Sequence, residues 1–344
     1  MTDWTPLAAV LAFSFTTLLT RRFCDPASSL HLLDLPNERS LHSQPTPRSG
    51  GVAILAGFAL AFLLWIFAIS IAGPILWLMA GAGIIAAVSF LDDSRGLSAG
   101  ARFLGHLMGA GLVVIGAGLT LPPLFPGVST LSPVWLGVSL SVVYLVWMVN
   151  LYNFMDGMDG FAAGMAVIGF GAFAVLGWLA GNAMFFGVSL IIASAVGGFL
   201  MFNFPPARIF MGDTGSATLG LMAGGLSLWG GREAVFPFWV SVLVFSPFIV
   251  DATVTLLWRL LRREPVWRAH KSHFYQRLVL LGWGHRKTVM AEYVLMLLCA
   301  GCAVWVVTRS SLIQSAMLVF WVFTYVLLAG LVRGLERRGT GEQQ

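Results

Sequence analysis

The chain has 344 residues, of which 58% are hydrophobic and only 10% charged, with a mean hydropathy of +0.86. Soluble domains carry about 25% charged residues, so a water-soluble fold, a disordered chain and a disulfide scaffold are all excluded, and lipid is the solvent this composition requires. The net charge of +5 suggests nucleic acid only until the charges are located.

Apolar runs long enough to cross about 30 Å of hydrocarbon fall at residues 4–20, 51–73, 74–91, 103–121, 134–152, 161–180, 183–202, 214–230, 235–258, 289–307 and 312–332. They predict an all-α polytopic membrane protein of about eleven transmembrane helices, forming one domain over 1–344. The eighth run is short and rich in glycine, which makes it the weakest as an independent span. With eleven crossings, eighteen of the twenty basic residues share one side, leaving Arg232 and Arg309 on the other. The positive-inside rule then places the N-terminus outside, the C-terminus in the cytoplasm, and the basic charge against cytosol and anionic membrane lipid, with no nucleic-acid partner. The first run follows Asp3, lacks a basic leading segment and meets Arg21-Arg22, so it is expected to stay as a span. Cys24, Cys299 and Cys302 cannot form a disulfide framework.

The inner segments 21–50, 92–102, 152–160, 203–213 and 259–288 hold nearly every acid and histidine, so chemistry is expected at the cytoplasmic face. The first, from Asp34 to Gly51, is dense in turns and donors, Arg48 among them. The third span ends in the adjacent acids Asp92 and Asp93, a solvated helix end or a metal-and-base pair. The fifth runs into Asn150, Asn153, Asp156 and Asp159, a polar residue at every third position and so one drifting stripe if the helix continues. Amides at the membrane edge are costly without partners. The seventh span exits through Asn203, Arg208 and Asp213. Asp213 stands beside a helix N-terminus and suits a divalent cation, while free backbone N–H groups there favour phosphate. The ninth loop carries Arg268, His270, Lys271 and His273. Two histidines without cysteine fall short of a closed zinc site, leaving a phosphate cradle or an anionic-lipid patch. Asp251, inside the ninth span, is read as a supporting partner for Arg259 or for a histidine of the following loop.

Oxygen ligands suited to Mg²⁺, basic groups suited to phosphate and a single membrane face together suggest phosphoryl transfer between a nucleotide and a lipid. The motifs D-x-P-N-x-R-x-x-H and P-R-x-G-G (34–51), D-D (92–93), N-x-x-N-x-x-D-G-x-D-G (150–160), F-N-x-P-x-x-x-x-F-M-G-D-x-G-S (202–216) and R-x-H-x-x-H (268–273) resemble those of the polyprenyl-phosphate N-acetylhexosamine-1-phosphate transferases. The likeness is greatest to the branch that initiates O-antigen and related polysaccharides. It implies a bacterial inner-membrane enzyme that takes a UDP-N-acetylhexosamine and undecaprenyl phosphate, depends on Mg²⁺ with Mn²⁺ able to substitute, and is compatible with a homodimer. It further implies Asp213, with Asn153 and Asp92, at the metal. Asn203 is implied near metal and nucleotide, and Asp156 and Asp159 at the uridine. Asp92 and Asp93 are implied as the pair that deprotonates or binds the lipid phosphate. Arg102, Arg268, His270 and His273 are implied around the phosphates.

Two departures matter. Ser272 stands where some relatives have a middle histidine, which weakens any nucleophilic role for the histidines. Arg95 and Gly96 stand where the peptidoglycan branch often has a lysine, which argues against the peptidoglycan substrate. The rival from another class is a transporter of a lipid-linked or anionic substrate, which midmembrane charge and internal repeats would favour.

Overall fold

The computed structural model describes residues 4–36, 41–42, 44–67, 73–122, 133–265 and 270–341. Arg268 lies outside them. Helices occupy all eleven apolar runs: α1 (Thr5–Phe23), α2 (Gly50–Ile66), α3 (Gly73–Arg95), α4 (Ala99–Ala117), α5 (Val134–Phe154), α6 (Phe161–Leu179), α7 (Ala183–Asn203), α8 (Gly212–Arg232), the pair α9 (Phe238–Val244) and α10 (Ser246–Leu261), then α12 (Gly284–Val306) and α13 (Ser311–Gly341). A one-turn helix, α11 (Phe274–Leu278), precedes α12. Among the described residues the only strands are two-residue β1 (Leu33–Asp34) and β2 (Thr46–Pro47), paired antiparallel with Leu33 opposite Pro47.

Among the described residues seven helical segments are long and apolar enough to cross a membrane, or eight if the bent pair α9–α10 counts as one span. The ninth apolar run is therefore not a straight helix: α9 and α10 meet at 81°. Pro247, near the start of α10, has no N–H to offer the Leu243 carbonyl, and the Ser246 hydroxyl donates to that carbonyl instead at 2.7 Å. A Pro break with its orphaned carbonyl satisfied by a hydroxyl is a stable bend within lipid.

The glycine-rich eighth run proves to be the centre of the molecule. Every residue of α8 from Thr214 to Gly230 is buried, packed against α2, α3, α5, α6 and α9. Its modest apolarity follows from that position, because a helix that touches protein on all sides needs small residues for close approach rather than large ones for lipid. A side chain at Gly220 would bring a Cβ to 2.5 Å from the Met148 carbonyl. The α8 hydroxyls turn inward on their own helix, Thr218 donating to the Thr214 carbonyl and Ser227 to that of Ala223, each at 2.7 Å. At the other extreme, α13 exposes Phe320, Val322, Phe323, Val326 and Leu327. Such a contiguous apolar face is compatible with lipid, not with water.

The ends that meet at one face carry the polar motifs. There Phe210 N donates to the Pro47 carbonyl at 2.7 Å, and Gly50 N and Gly51 N donate to the carbonyls of Phe210 and Met211 at 3.0 and 2.7 Å. The stretch before α8 is thereby stitched to the first inner segment. Gly51 has no room for a side chain, since its Cβ would lie 2.3 Å from Gly215 N.

Candidate active site

The site is built on the first turn of α8. Gly212 adopts φ +73°, and a Cβ there would lie 2.5 Å from the Arg48 carbonyl. That tight entry presents the leading N–H groups of α8 to Asp93 on α3. Asp93 accepts from Asp213 N at 3.2 Å, from Thr214 N at 2.9 Å and from the Thr214 hydroxyl at 2.6 Å. It is a helix cap supplied from 120 residues away in the chain, and it satisfies donors that the helix cannot. The Arg48 guanidinium donates to the Asp93 carbonyl and lies 3.7 Å from Asp34.

Asp92 points elsewhere. One of its oxygens accepts from Leu97 N at 2.6 Å and the other from Arg102 at 3.0 Å. Arg102 also approaches Asp213 to 3.8 Å. Asn153, in the last turn of α5, donates to Asp213 at 2.8 Å and to the Ser216 hydroxyl at 3.2 Å. With its nitrogen turned to Asp213, Asn153 orients that carboxylate in this arrangement, because an amide N–H₂ is a donor only. Burial, then the charge of Asp93, pushes the Asp213 carboxyl up to about 6. Burial and the charges of Asp213, Asp93 and Asp34 hold Asp156 well above the usual carboxylate range.

The polar stripe does not continue as a helix, since α5 ends at Phe154 and Asp156 and Asp159 lie in the following turn. Asp159 accepts from Ala207 N at 3.0 Å and pairs with His285 Nδ1 at 3.0 Å. Asn203 is a buried staple: its oxygen accepts from Gly160 N at 3.0 Å and its nitrogen donates to the Ile209 carbonyl at 2.9 Å. Asn150 donates back to the Val146 carbonyl at 2.7 Å, within its own helix. The Arg208 guanidinium stacks on Phe202, 4.7 Å from the ring centre.

Two cavities meet here. One, of about 240 Å³, is lined by Asp34, His42, Arg48, Asp93, Asn153, Asp156, Asp159, Asn203, Phe210, Asp213, Gln276 and His285. The other, of about 570 Å³, is lined by Arg48, Asp92, Asp93, Arg95, Leu97, Arg102, Asn153 and Asp213 among others. Arg48, Asp93, Asn153 and Asp213 form the wall common to both.

His270, Lys271, His273 and Arg208 line neither cavity. His273 is buried and pairs through Nδ1 with Asp251 at 3.2 Å. Asp251 also accepts from Phe274 N at 2.9 Å and Tyr275 N at 3.1 Å, capping α11. The supporting role expected of Asp251, as partner to a histidine of the next loop, is what the geometry contains. His270 meets the Ser272 hydroxyl at 2.9 Å, and burial, with His273 and Arg259 nearby, lowers its pKa to about 4. Asp34, His42 and Phe210 are fixed positions of the quoted motifs without an expected role, and Gln276 and His285 belong to none of them. The signal for the first three was their place in those motifs; for Gln276 and His285 the spacing offered none.

Among the described residues no three Asp, Glu, His or Cys side chains converge as a ready-made metal cage. Mg²⁺ does not require one, since it commonly takes one or two carboxylates plus waters and substrate phosphates. The carboxylates of Asp213 and Asp92 share one cavity wall, and Asp156 is surrounded by like charge. That donor set fits a hard divalent cation.

Residues 75–231 match the glycosyl transferase family 4 model. The chain is 32% identical over 346 residues to a probable undecaprenyl-phosphate N-acetylglucosaminyl 1-phosphate transferase of Bacillus subtilis, covering 97% of this chain and 95% of that protein. It is 31% identical to a decaprenyl-phosphate N-acetylglucosaminephosphotransferase of Mycolicibacterium smegmatis, covering 90% and 83%. To a phospho-N-acetylmuramoyl-pentapeptide-transferase of Halalkalibacterium halodurans it is 28% identical, covering 87% and 96%. With its motifs gathered at one face and nearly its whole length aligned to such enzymes, this multi-pass membrane protein belongs to the polyprenyl-phosphate sugar-1-phosphate transferases of glycosyl transferase family 4.

Proposed function

We propose that the enzyme transfers N-acetylglucosamine-1-phosphate, or that of a 6-deoxy relative, from the UDP-sugar to undecaprenyl phosphate. The products are undecaprenyl-diphospho-N-acetylhexosamine and UMP, as the first step of O-antigen or a related envelope polysaccharide. The setting is the bacterial inner membrane, crossed eleven times, with the site at the cytoplasmic face.

The observation that carries this reading is the wall that the two cavities share. A reaction between a nucleotide sugar and a lipid phosphate needs two anionic sites that meet at one phosphorus atom. The cavity with Phe210, Asp159 and His285 offers an aromatic face and hydrogen-bonding groups for a nucleotide. The recess with Arg95, Arg102 and Arg48 offers guanidinium donors for the acceptor phosphate. An oxygen of that phosphate attacks the β-phosphorus; the bond from the β-phosphorus to the bridging oxygen breaks, and UMP leaves with that oxygen. Asp92 and Arg102 position the acceptor. Asp93, with three of its bonds spent on the head of α8, maintains the wall. Asp213 and Asp92 would hold Mg²⁺, with Asn153 orienting Asp213, and the ion would supply neutralisation of diphosphate charge.

The test is UMP release by purified protein in detergent with undecaprenyl phosphate, Mg²⁺ and a panel of UDP-sugars that includes UDP-N-acetylmuramoyl-pentapeptide. Release that needs lipid and an N-acetylhexosamine donor supports the assignment. Release only with the pentapeptide donor overturns the substrate, and dependence on a sealed compartment would point to transport.

A further inference from the structure

Between α11 and α12 the backbone kinks within Val279–Trp283, leaving helical geometry at Gly282 with φ 89°, and Gly284 follows at φ 66°. Positive φ at two nearby residues is natural only with glycine. The next residue is His285, and the turn places it against the far wall of the smaller cavity.

There His285 Nδ1 lies 3.0 Å from Asp159 Oδ1, with both side chains largely buried, 19% and 13% exposed. The same ring also faces the Leu41 backbone, and both residues line the same cavity. Asp159 Oδ2 is taken by Ala207 N at 3.0 Å. Four segments distant in the chain therefore meet around the Asp159–His285 pair: the first inner segment at Leu41, the turn at Asp159, the stretch before α8 at Ala207, and the root of α12. Next to Leu41, His42 rests against Phe210 with ring centres 4.9 Å apart. Release of Leu41 would loosen the aromatic side of the cavity as well as its acidic side.

We propose that His285 is a positioning residue for the donor nucleotide: by joining Asp159 to the first inner segment it holds the cavity wall in its binding shape. The inference rests on the proposed use of a UDP-sugar, and its test separates the two. UDP binding at equilibrium needs no turnover, so UDP affinity is measured beside the KM for UDP-sugar, the KM for undecaprenyl phosphate and Tm.

In His285→Ala, the UDP Kd and the donor KM are expected to rise about tenfold or more, the range typical when a group that orients a ligating side chain is removed. The acceptor KM should stay within about twofold of wild type and Tm within about 3 °C of it. Gly284→Ala should give the same donor-side defect with His285 intact, because a Cβ there meets nothing within 4 Å and acts only through φ. The double variant His285→Ala/Asp159→Asn should be no worse than the worse single variant.

A His285→Ala protein with wild-type UDP affinity and donor KM overturns this inference alone. Equal losses on the donor and acceptor sides, or independent multiplying losses in the double variant, also overturn it by making His285 a general structural residue. A wild-type protein that binds no UDP overturns both this inference and the proposed donor.

Discussion

Asn153 donates its amide N–H to Asp213 Oδ1 at 2.8 Å, linking the last turn of α5 to the first turn of α8. Neither residue is adjacent to the other's motif, yet the pair forms the floor on which both cavities open. Asn153→Ala should leave Asp213 in place without its orientation. UMP release is expected to fall about 10- to 100-fold, as when partners of ligating groups are removed, with a higher Mg²⁺ requirement. A Mg²⁺ titration of initial rates in both proteins measures this.

The two adjacent acids of α3 should separate cleanly by phenotype. Asp93→Ala removes three hydrogen bonds to the head of α8. It should cost about 1–3 kcal/mol of stability for the donors left unsatisfied, visible as a lower Tm and poor yield in detergent. Asp92→Asn keeps the size of the side chain and should lower kcat with little change in Tm. Equal stability loss in the two variants would refute the division of labour.

If Asp213 holds Mg²⁺ as proposed, its carboxyl, pushed up to about 6 by burial and by Asp93, would make cation binding a competition with protons. Only the ionised form binds, so apparent Mg²⁺ affinity should be level well above pH 6. Below that it should fall by up to tenfold per pH unit. Measuring the Mg²⁺ concentration for half-maximal rate at intervals from pH 5 to pH 8 checks this, with the slope disappearing in Asp213→Asn if any activity remains.

The central helix should be intolerant of volume. Gly220→Val would force a side chain into the Met148 carbonyl, 2.5 Å from the position of a Cβ. A loss of at least about 1–3 kcal/mol is expected from overpacking, seen as a collapsed Tm. Gly301→Ala on α12, where no atom lies within 4 Å, should melt like wild type.

Much of this architecture was legible because lipid imposes length and apolarity on every element. All eleven runs carry helix, with ends within a few residues of expectation except where α2 ends at Ile66, α12 begins at Gly284 and α13 extends to Gly341. The bend at Pro247 was missed because apolarity continues through it. The eighth run looked weak for the same reason that it is central: hydropathy measures fitness for lipid, and α8 meets protein on all sides.

At the site, residue type pointed to part of the cavity lining but not to the partners within it. Two neighbouring acids on a helix differ by about 100° in direction, and that rotation sends Asp93 to the head of α8 and Asp92 to Arg102. The Asn150-to-Asp159 spacing suggested one stripe, but the helix stops at Phe154, so the acids are placed by a turn whose path spacing cannot encode. His270 and His273 stood out for their spacing and lie outside both cavities, whereas His285 is brought in by a pair of glycines at positive φ.

The most direct test of the central claim is to follow the β-phosphorus of the donor. With UDP-N-acetylglucosamine labelled at that atom, undecaprenyl phosphate and Mg²⁺, the wild-type protein should place the label in a lipid diphosphate, releasing unlabelled UMP. Asp213→Asn should fail to do so. Label recovered in free UDP, or a lipid product that forms equally well in Asp213→Asn, would contradict the account.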